Sequence, residues 1–326
     1  MKANKMVAKG TLCASIMALS MSAALAAYPD QPIHVVVGYS AGGTTDILAR
    51  ALGEQLSKIL KTPVVVENKP GAAGSIAAAY VSNSKPDGYT LFIATVSSHG
   101  INPALYKKLG YEPVKGFAPV SMLASIPLVL IANPKLKFKT VQDLVDAIKA
   151  KPGTFNYSSS GNGSPVHIAG AMFADQAHLK AVHVPYRGGA LANTAVISGD
   201  VQYSFATLPA ALPQVKAGTV TALAVTTKKR SPQLPDVPTV AENKNFPGYE
   251  INTWNALLAP AGTPEATVKK LNAAVVEAMN TKKLQTTFKS QGAEPESSTP
   301  QELQAFIGEQ LAHWKTVMDK LNIHLN

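Results

Sequence analysis

Cysteine is almost absent from this chain, and several other residue classes are scarce. The 326 residues include one cysteine, Cys13, which excludes a disulfide framework and any cysteine-based metal or redox centre. Aromatic residues make up 6% and charged residues 15% of the chain, whereas charged residues account for roughly 25% of an average soluble protein. The hydrophobic share is an ordinary 46%, which excludes a disordered tail, a coiled coil and a collagen. The length suits two ordinary domains or one large one.

Long hydrophobic runs are also missing after the first 26 residues. The longest later run, residues 120–132, is interrupted by serines and by Pro127, and it falls short of the roughly 18 apolar residues of a membrane span. The start has the pattern of a secretory signal peptide, because three lysines precede an apolar stretch that ends in Ala24-Leu25-Ala26, a small-x-small cleavage site. We therefore expect residues 1–26, including Cys13, to be removed and the mature protein to be exported and soluble.

Negative charge is scarce, since 30 lysines and arginines face 20 acidic residues and the formal net charge is +10. Loss of the leader removes three lysines and no acidic residue, which leaves +7. Nucleic-acid-binding proteins concentrate basic residues in blocks with aromatic residues between them, whereas the lysines here are scattered and the densest run, Lys228-Lys229-Arg230, lies in a proline-rich stretch. We expect no nucleic acid partner; a small anionic solute, or solubility alone, accounts better for the charge.

Strand-like and helix-like segments alternate along the mature chain. Residues 33–37 are a continuous β-branched run, which is typical of a strand buried on both faces, and apolar residues at helical spacing follow up to Leu60. This alternation predicts an α/β protein with parallel strands and right-handed crossovers. Further strands are expected at residues 64–66, 90–94, 120–123, 128–132, 155–158, 183–184, 203–205 and 221–225.

The order of these segments predicts two α/β lobes. The first spans roughly residues 28–125 and the second roughly residues 126–249. The rest of the chain is predicted to be helical, and these terminal helices have no strands of their own to cover. We therefore expect residues 250–326 to return to the first lobe.

Two loops of small residues lie between a predicted strand and a predicted helix, one in each lobe. The N-terminus of a helix carries unsatisfied N–H groups and the positive end of the helix dipole, so it can bind an anion without a cationic side chain. If the loops face each other across a cleft, they can hold one carboxylate from both sides. The first loop is Tyr39, Ser40, Ala41, Gly42, Gly43 and Thr44; the second loop is Ser159, Ser160, Gly161, Asn162, Gly163 and Ser164.

Other motifs compete for the same residues. Residues 38–42 match the G-x-S-x-G pattern of a serine hydrolase with Ser40 as nucleophile, but only about a dozen mature residues precede Ser40, too few for the earlier strands that such an enzyme needs. Neither loop has the G-x-G-x-x-G pattern of a dinucleotide fold, and no Walker A sequence occurs. We therefore expect a protein that is not an enzyme and that needs no cofactor.

The histidines lack the spacing of a metal site, since neither H-x-x-x-H nor H-E-x-x-H occurs. His167 lies close to the second loop. We expect it to orient that loop as an N–H donor, with an ordinary surface histidine as the alternative.

Taken in order, the motifs of the mature chain resemble those of the periplasmic solute receptors of tripartite tricarboxylate transporters, often called Bug-type receptors. The resemblance covers essentially the whole mature chain. The residues that carry it are Tyr28-Pro29, Pro32-Ile33, Tyr39-Ser40-Ala41-Gly42-Gly43 with Asp46, Asn68-Lys69-Pro70-Gly71-Ala72-Ala73-Gly74, Pro86-Asp87-Gly88-Tyr89-Thr90, Tyr157-Ser158-Ser159-Ser160-Gly161, Gly163-Ser164, His167, Val184-Pro185-Tyr186-Arg187-Gly188, Pro235-Asp236-Val237-Pro238-Thr239, Trp254 and Ala259-Pro260-Ala261-Gly262-Thr263-Pro264.

The resemblance implies a two-lobed periplasmic-binding-protein (Venus-flytrap) fold with doubly wound sheets and an interlobe cleft. It also implies a periplasmic monomer that binds a small organic carboxylate mainly through the two loops and docks on the permease subunits of a membrane transporter. A ligand-sensing adaptor for a signalling partner is the alternative. Beyond the two loops and His167, we expect the pocket to include Ser97, Ser98, His99, Asp200, Phe205 and Thr207.

Overall fold

The computed structural model describes residues 28–186 and 188–323, so the predicted signal peptide lies outside the described residues. Ten strands and ten helices alternate along this part of the chain. The strands are β1 (Ile33–Val37), β2 (Val64–Asn68), β3 (Thr90–Thr95), β4 (Phe117–Ala132), β5 (Phe155–Ser159), β6 (Ala181–Pro185), β7 (Tyr203–Thr207), β8 (Thr221–Val225), β9 (Asn252–Pro260) and β10 (Glu294–Pro295).

Most helices connect successive strands; near the C-terminus two helices follow one another, and a third follows the short strand β10. They are α1 (Thr44–Leu60), α2 (Ser75–Ser82), α3 (Asn102–Leu105), α4 (Val141–Ala150), α5 (Pro165–Gln176), α6 (Gly189–Ser198), α7 (Leu208–Lys216), α8 (Glu265–Met279), α9 (Lys282–Ser290) and α10 (Pro300–Leu321). A π-helical turn (Ser97–Ile101) precedes α3, and 3-10 turns lie at Ala72–Gly74, Pro134–Leu136 and Val240–Glu242. Among the described residues, no helix combines the length and the apolar character that crossing a membrane requires.

Strand β4 joins two groups of strands because it changes partners along its length. Its residues 117–127 pair with β9, and its residues 128–132 pair with β7, all antiparallel. We call β2, β1, β3, β9, β10 and the first part of β4 the first sheet. The second sheet comprises the remainder of β4 with β7, β8, β5 and β6.

Two sequence predictions are wrong at this junction. Residues 120–123 and 128–132 were expected to be separate strands around Pro127, but they belong to the single strand β4, where Pro127 lies opposite Asn252. Proline is tolerated where a ladder is interrupted, and the next residue, Leu128, donates its N–H to the Thr226 hydroxyl (3.0 Å). Strand β9 was not predicted at all, although it lies between β3 and β4.

The apolar runs are buried on both faces, as the sequence predicted for β1. Val35 and Val37 belong to one hydrophobic cluster with residues of α1, α8 and α9, whereas Val36 between them joins a cluster with residues of α2 and α10. The second sheet repeats this arrangement with α4 and α5 against one face and α6 and α7 against the other. The fold is therefore α/β with helices on both faces of each sheet.

The strand directions fix which sheet ends face each other. Strands β1 and β3 are parallel, β3 is antiparallel to β9, and β9 is antiparallel to β4, so β1 and β3 run in the same direction as β4. Strand β7 is antiparallel to β4 and parallel to β5. The C-terminal ends of β1 and β3 are therefore directed toward the second sheet, and the C-terminal end of β5 is directed toward the first.

Candidate functional site

Both predicted loops lie at strand ends that face the junction of the two sheets. The first loop follows β1, and the second loop begins at the end of β5. Thr95, at the end of β3, pairs with Asn255 of β9, which in turn pairs with Ala124 of β4. Ser158 of β5 pairs with Ser204 of β7, which pairs with Ile131 of β4. Ala124 and Ile131 are seven residues apart on β4, which corresponds to roughly 23 Å at about 3.3 Å per residue.

A buried carboxylate, that of Asp46, holds the first loop. Asp46 is 2% exposed, and its carboxylate accepts hydrogen bonds from the Gly42 N–H (2.8 Å), Arg50 Nε (3.0 Å) and Asn68 Nδ2 (2.8 Å). Asn68 Nδ2 also donates to the Tyr39 carbonyl (3.0 Å). Burial by itself would raise the pKa of Asp46, but these hydrogen bonds outweigh it, so the pKa lies below its ordinary value.

The first loop is exposed to solvent over most of its length. Residues 40–43 are exposed, and the N-cap of α1 is Gly43, with no hydrogen bond from a capping side chain. The nearest capping interaction is the hydrogen bond from the Gly42 N–H to the Asp46 carboxylate. The first turn of α1 presents its N–H groups and its dipole to the junction.

The side chain of Tyr39, the first residue of the first loop, contacts Ser97. The Tyr39 hydroxyl is 3.0 Å from Thr95 Oγ1 and 3.4 Å from the Ala73 carbonyl. Burial raises the pKa of Tyr39, although hydrogen bonds to Ser97 and Thr95 oppose this shift. The structure therefore brings two predicted pocket residues from separate strand ends to one place.

The second loop is closed by a serine and a histidine. Ser164 is the N-cap of α5; its hydroxyl donates to the Gly161 carbonyl (2.6 Å) and accepts from the His167 N–H (3.3 Å). The Gly163 N–H donates to His167 Nδ1 (3.1 Å). His167 therefore does orient the loop, but its ring accepts a hydrogen bond at Nδ1, which corrects the predicted donor role.

A second histidine, which is not among the predicted pocket residues, also contacts this loop. His183 lies on β6, where it pairs with Tyr157 of β5, and its Nε2 is 2.6 Å from Ser159 Oγ. The rings of His167 and His183 are stacked, with centroids 3.9 Å apart and planes at 22°. Burial lowers the pKa of both histidines to about 4, and the neighbouring His167 contributes to the shift at His183.

Three predicted pocket residues lie in the hydrophobic core. The His99 ring is fully buried against Phe92 and Phe117, and burial lowers its pKa to about 3. Ser98 is also fully buried, and Phe205 is 1% exposed. We withdraw His99, Ser98 and Phe205 from the predicted pocket, because a solute reaches them only if the core opens.

Asp200 and Thr207 lie at opposite ends of β7. Thr207 is the last residue of β7, level with Leu128, so it lies at the junction. Asp200 precedes the strand, is exposed and accepts a hydrogen bond from the Ser198 hydroxyl (2.8 Å). Its placement at the far end of the sheet corrects the prediction that it belongs to the pocket.

A cavity of about 590 Å³ lies elsewhere, between α10, α5 and the start of β9. Its walls include Trp254 and Trp314, whose indole N–H groups both donate to Gln310 Oε1 (3.1 and 2.9 Å). None of its lining residues belongs to either loop.

Comparison with known proteins gives consistent results. BugT of Bordetella pertussis is 34% identical over 292 residues, which cover 89% of each chain. A solved structure of an R. palustris protein with adipate is 34% identical, with a TM-score of 0.84, and the match covers 91% of this chain and 99% of that one. MatC from Rhodopseudomonas palustris with bound malate is 32% identical, with a TM-score of 0.79, and covers 89% and 99%.

The family match spans most of the chain. Residues 48–323 match the family described as tripartite tricarboxylate transporter family receptor. Proteins of this family and the structural neighbours are solute-binding receptors, so the serine hydrolase alternative with Ser40 as nucleophile is set aside. With this match, and with relatives above 30% identity over most of its length, the chain belongs to the family of periplasmic receptors of tripartite tricarboxylate transporters.

Proposed function

We propose that this receptor captures a small mono- or dicarboxylate between two lobes, residues 28–125 plus 250–326 and residues 126–249, and delivers it to the permease subunits of a tripartite tricarboxylate-type transporter. The observation that carries this proposal is the direction of the strands. The loops after β1 and at the end of β5 are both directed toward the junction of the sheets.

The chemistry of both loops suits a carboxylate. Each loop precedes a helix of more than ten residues, α1 or α5, so each offers backbone N–H groups and the positive end of a helix dipole. Residues 40–43 of the first loop are exposed. The remaining pocket residues in the proposal are Tyr39, Ser97 and Thr207, which lie at strand ends on the junction side.

Binding is expected to favour a closed form of the receptor. A carboxylate held by the first loop alone gains additional hydrogen bonds when the second loop approaches it. The closed form is populated only to the extent that the ligand binds it more tightly than the open form. The permease then distinguishes the loaded receptor by its shape.

Similar proteins support the ligand class. The two R. palustris receptors described above were solved with adipate and with malate, both of which are dicarboxylates. The mature charge of +7 expected after loss of the leader favours the approach of anions, although screening limits this attraction to roughly 8–10 Å.

Export with cleavage near Ala26 and a monomeric state belong to the same proposal.

Thermal unfolding with matched ligand pairs tests this function. We expect adipate or malate, or a related acid, to stabilise the protein by roughly 2.7 kcal/mol at a hundredfold excess over its Kd, whereas the corresponding neutral diamide has no effect. Ser40→Ala is the matched variant and should retain binding, because the backbone N–H of residue 40 remains. If the diamide stabilises the protein as much as the acid, or if only a sugar or an amine shifts the midpoint, the carboxylate assignment is wrong.

A further inference from the structure

We propose that His167 and His183 are positioning residues that act as one uncharged, stacked pair and set the shape of the second loop for carboxylate binding. This inference rests on the proposed function, and it adds a role for His183, which lies outside the predicted pocket. The pair acts through the loop backbone and is not expected to touch the ligand.

The pair holds the loop at both ends. His167 Nδ1 accepts from the Gly163 N–H at 3.1 Å, near the start of α5. His183 Nε2 is 2.6 Å from Ser159 Oγ, at the end of β5, and the same oxygen accepts from the Gly161 N–H at 3.1 Å. The Gly161 and Gly163 N–H groups are therefore satisfied by side chains, which leaves other N–H groups of the loop for a ligand.

The glycines make this support necessary. Gly161 has φ +128° and Gly163 has φ +72°, backbone conformations that side chains other than glycine disfavour. A turn with two glycines can adopt many backbone conformations, because glycine has more conformational freedom to lose on folding than other residues. One of these conformations is selected by the hydrogen bonds that join the two histidines to Gly163 and Ser159, together with the bond from the Ser164 hydroxyl to the Gly161 carbonyl (2.6 Å).

The hydrogen bond from the Gly163 N–H requires an uncharged His167 ring. Because the Gly163 N–H donates to Nδ1 of His167, that nitrogen carries a lone pair, and the ring proton must be on Nε2. A protonated His167 would direct an N–H at another N–H. The stacking distance of 3.9 Å would also bring two imidazolium charges into contact if both rings were protonated.

The surroundings of the pair do not supply a compensating negative charge. The Tyr157 ring of β5 is the aromatic neighbour of His183, with centroids 5.0 Å apart, and burial keeps its hydroxyl protonated by raising its pKa. Within residues 28–186 and 188–323, none of the ion pairs that we find includes either ring. An uncharged pair is therefore the stable state at neutral pH.

Paired substitutions separate the hydrogen bond from the packing. His167→Phe keeps a stacked ring but removes the acceptor, and we expect carboxylate binding to weaken about tenfold, which corresponds to the loss of one hydrogen bond. His167→Asn loses the ring but places an oxygen near the position of Nδ1, so it should recover binding to within about threefold of the parent. His183→Phe and His183→Gln form the equivalent pair at Nε2.

His178→Asn serves as the control, because His178 is exposed and lies in a left-handed turn that asparagine tolerates. It should bind like the parent. If both Phe variants bind as tightly as the parent, or if the Asn and Gln variants bind no better than the Phe variants, the positioning role is wrong.

NMR of the ligand-free parent tests the inference without any ligand. Nitrogen-15 spectra of the histidines should show His167 as the Nε2–H tautomer, and both rings should remain uncharged at pH 5.5. An Nδ1–H tautomer at His167, or titration of either ring near pH 6.5, would overturn the inference even if carboxylates bind. Conversely, a parent that binds no carboxylate contradicts the proposed function, while these spectra still decide the state of the pair.

Discussion

Both loops offer backbone N–H groups at the start of a helix, but the side chains that hold the two loops differ in charge. The first loop is held by a charged carboxylate, Asp46, with Arg50 and Asn68 bonded to it. The second loop is held by the uncharged rings of His167 and His183. A carboxylate in an ion pair with Arg50 therefore supports the first loop, whereas neutral imidazole rings support the second.

The largest expected effect comes from removing the charge behind the first loop. Asp46→Ala removes a buried carboxylate and leaves the Gly42 N–H, Arg50 and Asn68 without their acceptor, and we expect the free energy of unfolding to fall by about 3 kcal/mol. Chemical denaturation measures this loss. Glu54→Ala on the same helix is the control, because Glu54 forms only exposed ion pairs with Lys58 and Lys283.

The outcome for the control decides whether the comparison holds. Exposed ion pairs contribute little to stability, so Glu54→Ala should leave the unfolding midpoint unchanged. If Asp46→Ala is as mild as Glu54→Ala, the carboxylate does not hold the first loop, and the contrast between the loops disappears.

The sequence predicted the strand and the helix on either side of each loop, but it did not predict the contacts that hold the second loop. A continuous β-branched run, a turn of small residues and an amphipathic helix are local signals, and β1, the first loop and α1 follow from them. The pairing of His183 with Tyr157, by contrast, depends on which strands become neighbours. The nitrogen through which His167 acts depends on the direction of its ring, and a sequence carries no signal for that.

Nonlocal packing also explains the wrong predictions. His99 follows β3 and Phe205 lies on β7, both close in sequence to residues that face the junction. Their rings nevertheless pack in the hydrophobic core against residues from distant segments of the chain. Asp200 was predicted to belong to the pocket because the sequence does not show which end of β7 faces the junction. Strand β9 was missed because its apolar residues resemble the start of the helical C-terminal region, and only its place between β3 and β4 identifies it.

As the pH falls, the contribution of the second loop to stability should be lost before that of the first loop. For each histidine the pKa in the folded protein, about 4, lies below the ordinary value of 6.5. The unfolded chain then binds more protons between these values, and stability is lost as the pH falls from about 6.5 to about 4. Asp46 contributes stability above its ordinary pKa of 3.8 and loses it only as the pH falls below that value.

Thermal unfolding between pH 7 and pH 4 measures this difference. We expect the histidine pair to account for about 2 kcal/mol of the loss, a figure reduced for screening because His183 is partly open to solvent. The double variant His167→Asn, His183→Gln should flatten that part of the profile. His99→Phe is needed beside it, because burial of His99 contributes an acid loss of the same sign from the core.

The smallest expected effect concerns two adjacent glycines of the first loop. Gly42 has φ +81° and open space where the methyl group of an alanine would lie, whereas Gly43 has φ −77° and a methyl group there would meet only the Ser40 carbonyl oxygen at 3.5 Å. Gly42→Ala should therefore cost about 1 kcal/mol of stability through its backbone alone, while Gly43→Ala should be nearly neutral. Carboxylate titration of both variants then sharpens the comparison between the loops. If the first loop binds through a fixed backbone shape, Gly42→Ala weakens binding and Gly43→Ala does not; equal binding by both would mean that the second loop carries the affinity.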